Sequence, residues 1–552
     1  MFARRLHRMP LALVGLAALL LAACSGSNSD TDDSFNPADC YYTYTVTDST
    51  QLVGLDPLLT KQWHLENIGQ SDGTWGEDIR AQAAWIEFGV RGEGIRVAVV
   101  DDAVETVHHD LAPNLVPGAV WDYRSGTATA PLPCDADDDH GTAVTGIVLA
   151  RDANLFGGAG VAPRASLAAY NALATSTDAD IADALNRDLA GNAIYNNSWG
   201  STDNGMLNRA EASFVTAIRY GIANGRNGKG AIYVFPGGNG GCFLVDRDGQ
   251  CAFDDNSNYD GYVNQLGVIA ACAVDDDGRA PLYAEPGANL LVCGPSGNAE
   301  TAITTTDVEN GFRSDFSGTS ASTPMVSGAA ALILSANPEL TWRDVRLILA
   351  NSARQNDPLD PGWIPGTDGR RPFNPLYGFG AADAQAAVAL AKTWQTVGDW
   401  ESLRSCGPYI GGSGVAPFPI DVPDAPESGE PQTREHTISI AGCEIGKIEF
   451  VEIRFSADAE YSGDLRVDLV SPNNLVSRLA DARLCDPNED EIADNCGDYD
   501  NWAFGSVRHL DEAVNGQWTL TVSDRLFDGL VNQRPVAPSR WTGWSILFWG
   551  RP

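Results

Sequence analysis

Gly318-Thr319-Ser320-Ala321-Ser322-Thr323-Pro324 runs directly into Met325-Val326-Ser327-Gly328-Ala329-Ala330-Ala331-Leu332-Ile333-Leu334. A serine among small residues at the head of an apolar run is predicted to sit at a helix N-terminus. There its hydroxyl is accessible, a second backbone can approach, and free N–H groups face any developing negative charge. Those are the requirements of a nucleophile in acyl transfer. A plain small-residue turn would use the same letters, so the companions of Ser320 decide between the two.

A nucleophilic serine needs a general base, and the base needs an orienting carboxylate. The chain has seven histidines, and one opens another small-residue, apolar run, Asp139-His140-Gly141-Thr142-Ala143-Val144-Thr145-Gly146-Ile147. Further upstream, Gly94-Ile95-Arg96-Val97-Ala98-Val99-Val100-Asp101-Asp102 reads as a buried strand ending in two acids. In parallel α/β sheets, sites are assembled at the carboxyl ends of strands. The order Asp, His, Ser along the chain is that of subtilisin. With the three segments together, the chain resembles the subtilisin-like serine peptidases, and within them the kexin and furin branch. Asp101-Asp102 is similar to that branch's paired acid, His140-Gly141-Thr142 to its histidine motif and Gly318-Thr319-Ser320-Ala321 to its serine motif.

The resemblance implies further roles. Pro236-Gly237-Gly238-Asn239-Gly240-Gly241 follows the strand-like Ala231-Ile232-Tyr233-Val234-Phe235, which makes Asn239 the side-chain donor to a tetrahedral oxyanion. The bland alternative is a Gly-rich turn with a left-handed Asn. Ser198-Trp199-Gly200 looks like the family's substrate-pairing strand. Asp203 falls where a wall acid of the primary pocket is expected, Asp260 at the floor, and Asp102 and Asp137 where the next substrate residue is met. Several carboxylates satisfy a guanidinium, whereas an apolar side chain would leave them desolvated and unpaired. The expectation is cleavage after Arg or Lys, preferably after a basic pair. In a chain with 73 acidic residues, many Asp simply face solvent. No acid marks a more remote basic subsite.

Calcium is implied by the same comparison. Asp56, Asp110 and Asn154 match the side-chain ligands of one family site, completed by backbone carbonyls at Arg151, Phe156 and Gly158. Asp203, Asp255 and Glu285 match a second site near the primary pocket. Hard cations want clustered oxygen ligands, and these come from segments far apart in sequence. No HExxH zinc motif is present, and adjacent His108-His109 is expected at the surface.

At 552 residues two domains plus tails are expected. Residues 1–23 carry Arg4, Arg5 and Arg8 ahead of an apolar run too short to span a bilayer, which reads as an export signal. Leu21-Ala22-Ala23-Cys24-Ser25-Gly26 resembles the bacterial lipoprotein box, so lipidation of Cys24 would tether the chain to the cell envelope, at the outer membrane. Plain secretion is the alternative. Of eleven cysteines, ten remain besides Cys24, an even number that suits disulfides. Near neighbours suggest Cys242–Cys251, Cys272–Cys293 and Cys485–Cys496, leaving Cys406–Cys443 and Cys40–Cys134. A net charge of −37 argues against nucleic acid and anionic lipid surfaces as partners, and serves solubility.

Residues 24–50 read as a polar tether and 51–395 as the catalytic domain, a subtilisin-like three-layer α/β fold with a largely parallel sheet. From about 396 the pattern changes to period-two strands such as His436-Thr437-Ile438-Ser439-Ile440 and Trp518-Thr519-Leu520-Thr521-Val522. That predicts an all-β, jelly-roll-like sandwich over 396–552. Gly463-Asp464-Leu465, Asn501-Trp502-Ala503-Phe504 and Asn515-Gly516-Gln517-Trp518 resemble the P domain that follows kexin-type catalytic domains, whose implied role is to brace them.

Some features depart from the family. About thirty residues lie between Cys24 and Asp56, where the family carries a long folding propeptide, so a separate folding chaperone or calcium is expected to take its place. Ala103 stands where Gly usually follows the paired acid, and Gly237-Gly238 precede Asn239 where a small hydroxyl or Ala is common. The functional expectation is a calcium-dependent, exported serine endopeptidase. Its rivals are a degradative subtilase of broad specificity and a catalytically idle binding or adhesion lipoprotein.

Overall fold

The computed structural model describes residues 55–552, apart from 136, 243, 246–250, 299, 368, 413–416, 460–461, 487, 489–495, 528–529, 532–533 and 536. The signal, Cys24, the tether and Cys40 lie outside the described residues. Among the described residues no helix is long and apolar enough to cross a membrane.

The first half of the chain alternates strands and helices. The strands are β1 (Arg96–Val100), β2 (Leu115–Trp121), β3 (Ser166–Tyr170), β4 (Ile194–Asn196), β5 (Ile232–Pro236), the ribbon β6 (Leu244–Val245) and β7 (Cys251–Phe253), β8 (Val268–Val274) and β9 (Leu290–Pro295), then the hairpin β10 (Ile303–Asp307) and β11 (Gly311–Phe316). The helices are α1 (Ala81–Phe88), α2 (His140–Leu149), α3 (Asp178–Ala184), α4 (Ala212–Asn224), α5 (Thr319–Ala336), α6 (Trp342–Ser352) and α7 (Ala384–Ala391). Seven strands form one sheet in the order β2-β3-β1-β4-β5-β8-β9, and every pairing in it is parallel. Parallel sheets need cover on both faces, and β5, β8 and β9 are accordingly buried at every residue. The expected α/β domain is present.

The stretch around Ser320 becomes α5, which packs against β4, β5, β8 and β9. Its residues Thr319–Leu334 are all buried, as a helix apolar on every side must be. Pro324 sits inside it and has no N–H for the carbonyl four residues back, that of Ser320. The Ser198 hydroxyl donates to that carbonyl instead, at 3.0 Å. That bond ties the serine segment to the segment that follows β4.

Beyond α7 the chain is all-β: β12 (Arg404–Gly411), β13 (Ile420–Val422), β14 (Thr433–Ile440), β15 (Lys447–Asp458), β16 (Leu465–Val470), β17 (Val476–Ala480), β18 (Tyr499–Ser506), β19 (Gly516–Asp524), the ribbon β20 (Leu530–Val531) and β21 (Arg534–Pro535), and β22 (Ser539–Arg551). One antiparallel sheet runs β12-β22-β15-β18 with β13 beside β22, and the other runs β14-β19-β16-β17. Alternating residues of both, among them Val451, Ile453, Phe455, Leu469, Trp518, Leu520 and Phe548, fill one shared core. The two halves interlock: Tyr259 and Ala288 join the sandwich core, while Phe450 and Val507 join the α/β core. Fully buried Arg343 on α6 makes a two-pronged ion pair with Glu449 on β15, at 2.6 and 2.8 Å.

Disulfides join Cys272–Cys293 and Cys485–Cys496, as the spacing suggests, and Cys406–Cys443, one of the pairs left over. Cys134 and Cys242 are also disulfide-bonded. Their expected partners fall outside what is described, Cys40 entirely and Cys251 in its side chain.

Candidate active site

Asp101 leaves the carboxyl end of β1 and His140 opens α2, so sheet and helix bring the two together. His140 Nδ1 and Asp101 Oδ1 are 2.8 Å apart, with Asp101 fully buried. The approach is close because residue 141 is Gly: a Cβ there would lie 2.2 Å from the Ala103 carbonyl and 2.7 Å from Asp101 Cβ. Buried His140 Nε2 has no hydrogen-bond partner among the described residues. With Nδ1 turned to a carboxylate, this second nitrogen is left to accept a proton. The Phe316 ring packs on the imidazole at 5.4 Å between centroids.

Burial opposes charge on His140, but Asp101, Asp102 and Asp139 outweigh it and lift the imidazole above its ordinary range. Asp102 is itself lifted, first by burial and then by Asp101. Its carboxylate accepts the amides of Ala103, Gly141 (2.8 Å) and His140 (3.2 Å). It therefore caps the N-terminus of α2. Asp139 is paired with Arg313 at 2.8 Å.

Ser320 is 6% exposed, and its hydroxyl donates to Ser198 O at 3.2 Å. Together with the Ser198 hydroxyl on Ser320 O, this makes a reciprocal clasp between α5 and the segment after β4. Asn239 follows β5, and its Oδ1 accepts from Thr319 N at 2.8 Å and Thr319 Oγ1 at 2.9 Å. Both bonds hold the carbonyl end of the amide, which leaves Nδ2 to donate elsewhere. Gly318, at φ +79°, completes the corner: a Cβ there would lie 3.3 Å from Asn239 Oδ1 and 3.7 Å from both Asn239 Nδ2 and Ser320 N. A side chain at residue 318 would thus press on Asn239 and lie against the Ser320 amide, so a glycine here keeps the space beside the serine open.

Asp260 accepts from Ser201 N (2.9 Å), Ser201 Oγ (3.1 Å) and Tyr262 N (2.7 Å). Burial lifts it to about 6 despite these donors. Gly200 faces it closely, since a Cβ there would lie 2.6 Å from Asp260 Oδ2. Trp199 anchors the Ser198–Gly200 segment through Nε1 to Val100 O at 2.9 Å. Asp203 is half-buried and accepts Asn239 N at 3.1 Å. Asp137 is exposed in the loop leading into α2.

Asp203, Asp255 and Glu285 bring carboxylate oxygens within 4.8 Å of one another. Burial raises all three above their ordinary range; beyond that, Asp203 pushes Asp255 up to about 8, and both neighbours push Glu285 up. Gly240 forms the floor, where a Cβ would sit 2.7 Å from Asp255 Cβ and 2.9 Å from Asp203 Cβ. Three acids this close cannot all ionise without a compensating cation, and an all-oxygen set suits a hard one. The residues fit calcium.

The side chains expected in the other ligand set also converge. Asn154 Nδ2 donates to Asp110 Oδ1 at 2.7 Å, and Asp56 accepts the amides of Ala153 (2.7 Å) and Asn154 (2.9 Å). Asp110 also accepts Gly158 N at 3.1 Å, the Arg151 amide donates to Asp110 O at 2.8 Å, and the Phe156 amide donates to Asn154 Oδ1 at 2.9 Å. Burial lifts Asp110 to about 8 and raises Asp56. Two buried acids and an amide oxygen again make a hard-donor set.

One expectation is overturned here. His108 is fully buried rather than at the surface: its Nε2 bonds Gly311 O at 2.9 Å and its Nδ1 accepts Asp110 N at 3.1 Å. It braces the Asp110 loop against the β10–β11 hairpin. The contacts of Arg313, Phe316 and the Ser198 clasp leave no local pattern in the sequence, because each joins segments distant along the chain.

The subtilase family model matches residues 92–381, and the model of the proprotein convertase P-domain matches residues 448–533. The chain is 33% identical over 474 residues to protease KEX1 of Kluyveromyces lactis, covering 85% of this chain and 58% of that protein. It is 34% identical to kexin of Candida albicans, covering 85% and 48%, so it spans about half the length of these two relatives. To neuroendocrine convertase 2 of Rattus norvegicus it is 34% identical over 509 residues, covering 90% and 74%. Among solved structures, the serine protease of Aeromonas sobria superposes with a TM-score of 0.78 at 26% identity, covering 93% of this chain and 99% of that one. The same Aeromonas protease in complex with a chaperone, ORF2, gives 0.76 at 25% identity, covering 95% and 100%.

Proposed function

The chain belongs to the subtilase family, and from that premise we propose an exported, calcium-stabilised serine endopeptidase that hydrolyses peptide bonds after Arg or Lys, preferably after a basic pair. The observation that carries the reading is the 2.8 Å Asp101–His140 contact, which leaves a buried Nε2 with no hydrogen-bond partner among the described residues, on an imidazole that packs against Phe316 just upstream of Ser320. Ser320 Oγ leaves Ser198 O, gives its proton to His140 Nε2 and attacks the carbonyl carbon. Asp101 holds the Nδ1 proton and balances the imidazolium. The charge that develops on the carbonyl oxygen meets Asn239 Nδ2 and Ser320 N–H. His140 then hands the proton to the departing amine, and water repeats the sequence to release the acid. Asp203 and Asp260 supply the negative charge that a cationic side chain would meet, with Asp102 and Asp137 toward the preceding residue. The kexin and convertase relatives support this choice.

Calcium would be held by Asp203, Asp255 and Glu285, and by Asp56, Asp110 and Asn154 with carbonyls of Arg151, Phe156 and Gly158. It compensates buried carboxylates and stabilises the fold by mass action. Digestion of a peptide library, with and without a chelator, tests both points. Cleavage is expected after Arg and Lys, with a lower melting temperature and slower turnover once calcium is removed. Equal turnover after Leu, Phe and Arg would replace this reading with the broad degradative one.

The carboxylates around His140 set the pH profile. The neutral imidazole is the base, and although burial opposes it, the Asp101, Asp102 and Asp139 carboxylates hold the proton on it above the ordinary histidine range. The acid limb of kcat/KM is therefore expected to rise with an apparent pKa above 6.5. An apparent value below that would mean that burial, rather than Asp101, Asp102 and Asp139, dominates.

Cys24 is the point of lipid attachment in this reading, holding the enzyme at the cell envelope; fatty-acid labelling that is lost in C24S tests it. The chaperone bound to the Aeromonas protease supports a separate folding partner here.

A further inference from the structure

The two pocket acids stand on separate segments, and the β-sandwich grips both. Arg483, just after β17, is 4% exposed. Its Nε donates to Gly205 O, and its Nη1 donates to Tyr499 OH at 3.0 Å. Its guanidinium carbon lies 3.9 Å from the centroid of the Tyr259 ring. Gly205 is two residues beyond Asp203, and Tyr259 directly precedes Asp260. Neighbouring contacts repeat the pattern. Asp486 N donates to Asn204 O at 2.9 Å. Tyr259 OH bonds Asp481 O and Asp481 N at 3.1 and 3.0 Å. Asn258 exchanges two bonds with Gly505, at 2.8 and 3.0 Å. Within the α/β domain the two segments meet along a short parallel bridge, Asn208 to Asp260.

A planar guanidinium over one ring, with its Nε and Nη1 donors both bonded, is a more rigid spacer than a flexible ammonium. It sets how far the Asp203 segment stands from the Asp260 segment. We propose that Arg483, though it belongs to the sandwich and touches no substrate atom, is a positioning residue for the primary pocket, so that the sandwich helps set discrimination for a basic over an apolar side chain. The proposal rests on reading Asp203 and Asp260 as pocket acids. Recognition of a guanidinium by carboxylates depends on geometry, whereas an apolar side chain is indifferent to where those oxygens point. Loosening the spacer should therefore harm Arg substrates selectively.

The test compares wild type, R483K, R483M and the milder Y499F, each as the full chain with calcium and normalised by fluorophosphonate titration of active sites. Paired substrates differ only in Arg or Leu before the scissile bond. In R483M, kcat/KM for the Arg substrate is expected to fall about tenfold, chiefly through KM, as for loss of a charge-assisted hydrogen bond, with the Leu substrate changed far less. R483K should lie between, and Y499F should shift the Arg/Leu ratio the same way by a smaller factor. Y499F and R483K decide the matter if R483M does not fold. A wild-type ratio in these variants, with only the melting temperature lowered, would overturn the proposal and leave the pocket reading intact. A wild type that does not favour Arg would overturn the pocket reading and the proposal with it.

Discussion

Replacing Ser320 by Ala is expected to lower kcat by about 10⁶-fold while the melting temperature stays close to that of the wild type. The magnitude is carried over from subtilisin, a member of the same family. The small thermal effect follows from local geometry. The side-chain oxygen of Ser320 makes one bond, to Ser198 O, whereas Ser198 Oγ still reaches the Ser320 carbonyl after the change. His140→Ala should cost about as much in kcat, because hydroxyl and imidazole act as one unit, and the double variant should be hardly worse than either. Additive losses would mean that the two groups work independently. Steady-state rates on one Arg-containing peptide, with melting curves alongside, measure all of this.

Asn239→Ala is expected to reduce kcat by about 10²–10³-fold with KM little changed, again on the scale of subtilisin. The asymmetry comes from when the bond is made. Asn239 Oδ1 is already committed to Thr319, so in the proposed role its amide would offer Nδ2 to a charge that exists only in the transition state. Asn239→Asp keeps the shape but replaces the donor with a negative charge, and should be worse than Ala. A variant that raises KM and leaves kcat alone would show that Asn239 binds substrate rather than the oxyanion.

How far the chain could be read depended on range. The small-residue runs at His140 and Ser320 became helix N-termini because their neighbours are apolar and tightly packable, a property local to each run. Motif position proposes the pocket and metal acids, and the structure gathers Asp203, Asp255 and Glu285 around Gly240. Contacts between distant segments left no mark. His108 looked like one of two surface histidines, yet it is buried by a hairpin two hundred residues further on. Asp102 is expected to face substrate, and no local pattern shows that it also accepts the amides of His140 and Gly141 at the head of α2, with that of Ala103. Arg483 sits in an unremarkable stretch of the sandwich, and only the fold brings it to Gly205 and Tyr259.

A fluorophosphonate that modifies only an activated serine probes the central claim most directly. Mass spectrometry of the labelled, digested protein should find one adduct, on the peptide containing Ser320, and that adduct should vanish in His140→Ala at equal protein concentration. No adduct on folded wild-type protein, or labelling of Ser320 that persists without His140, would contradict the account.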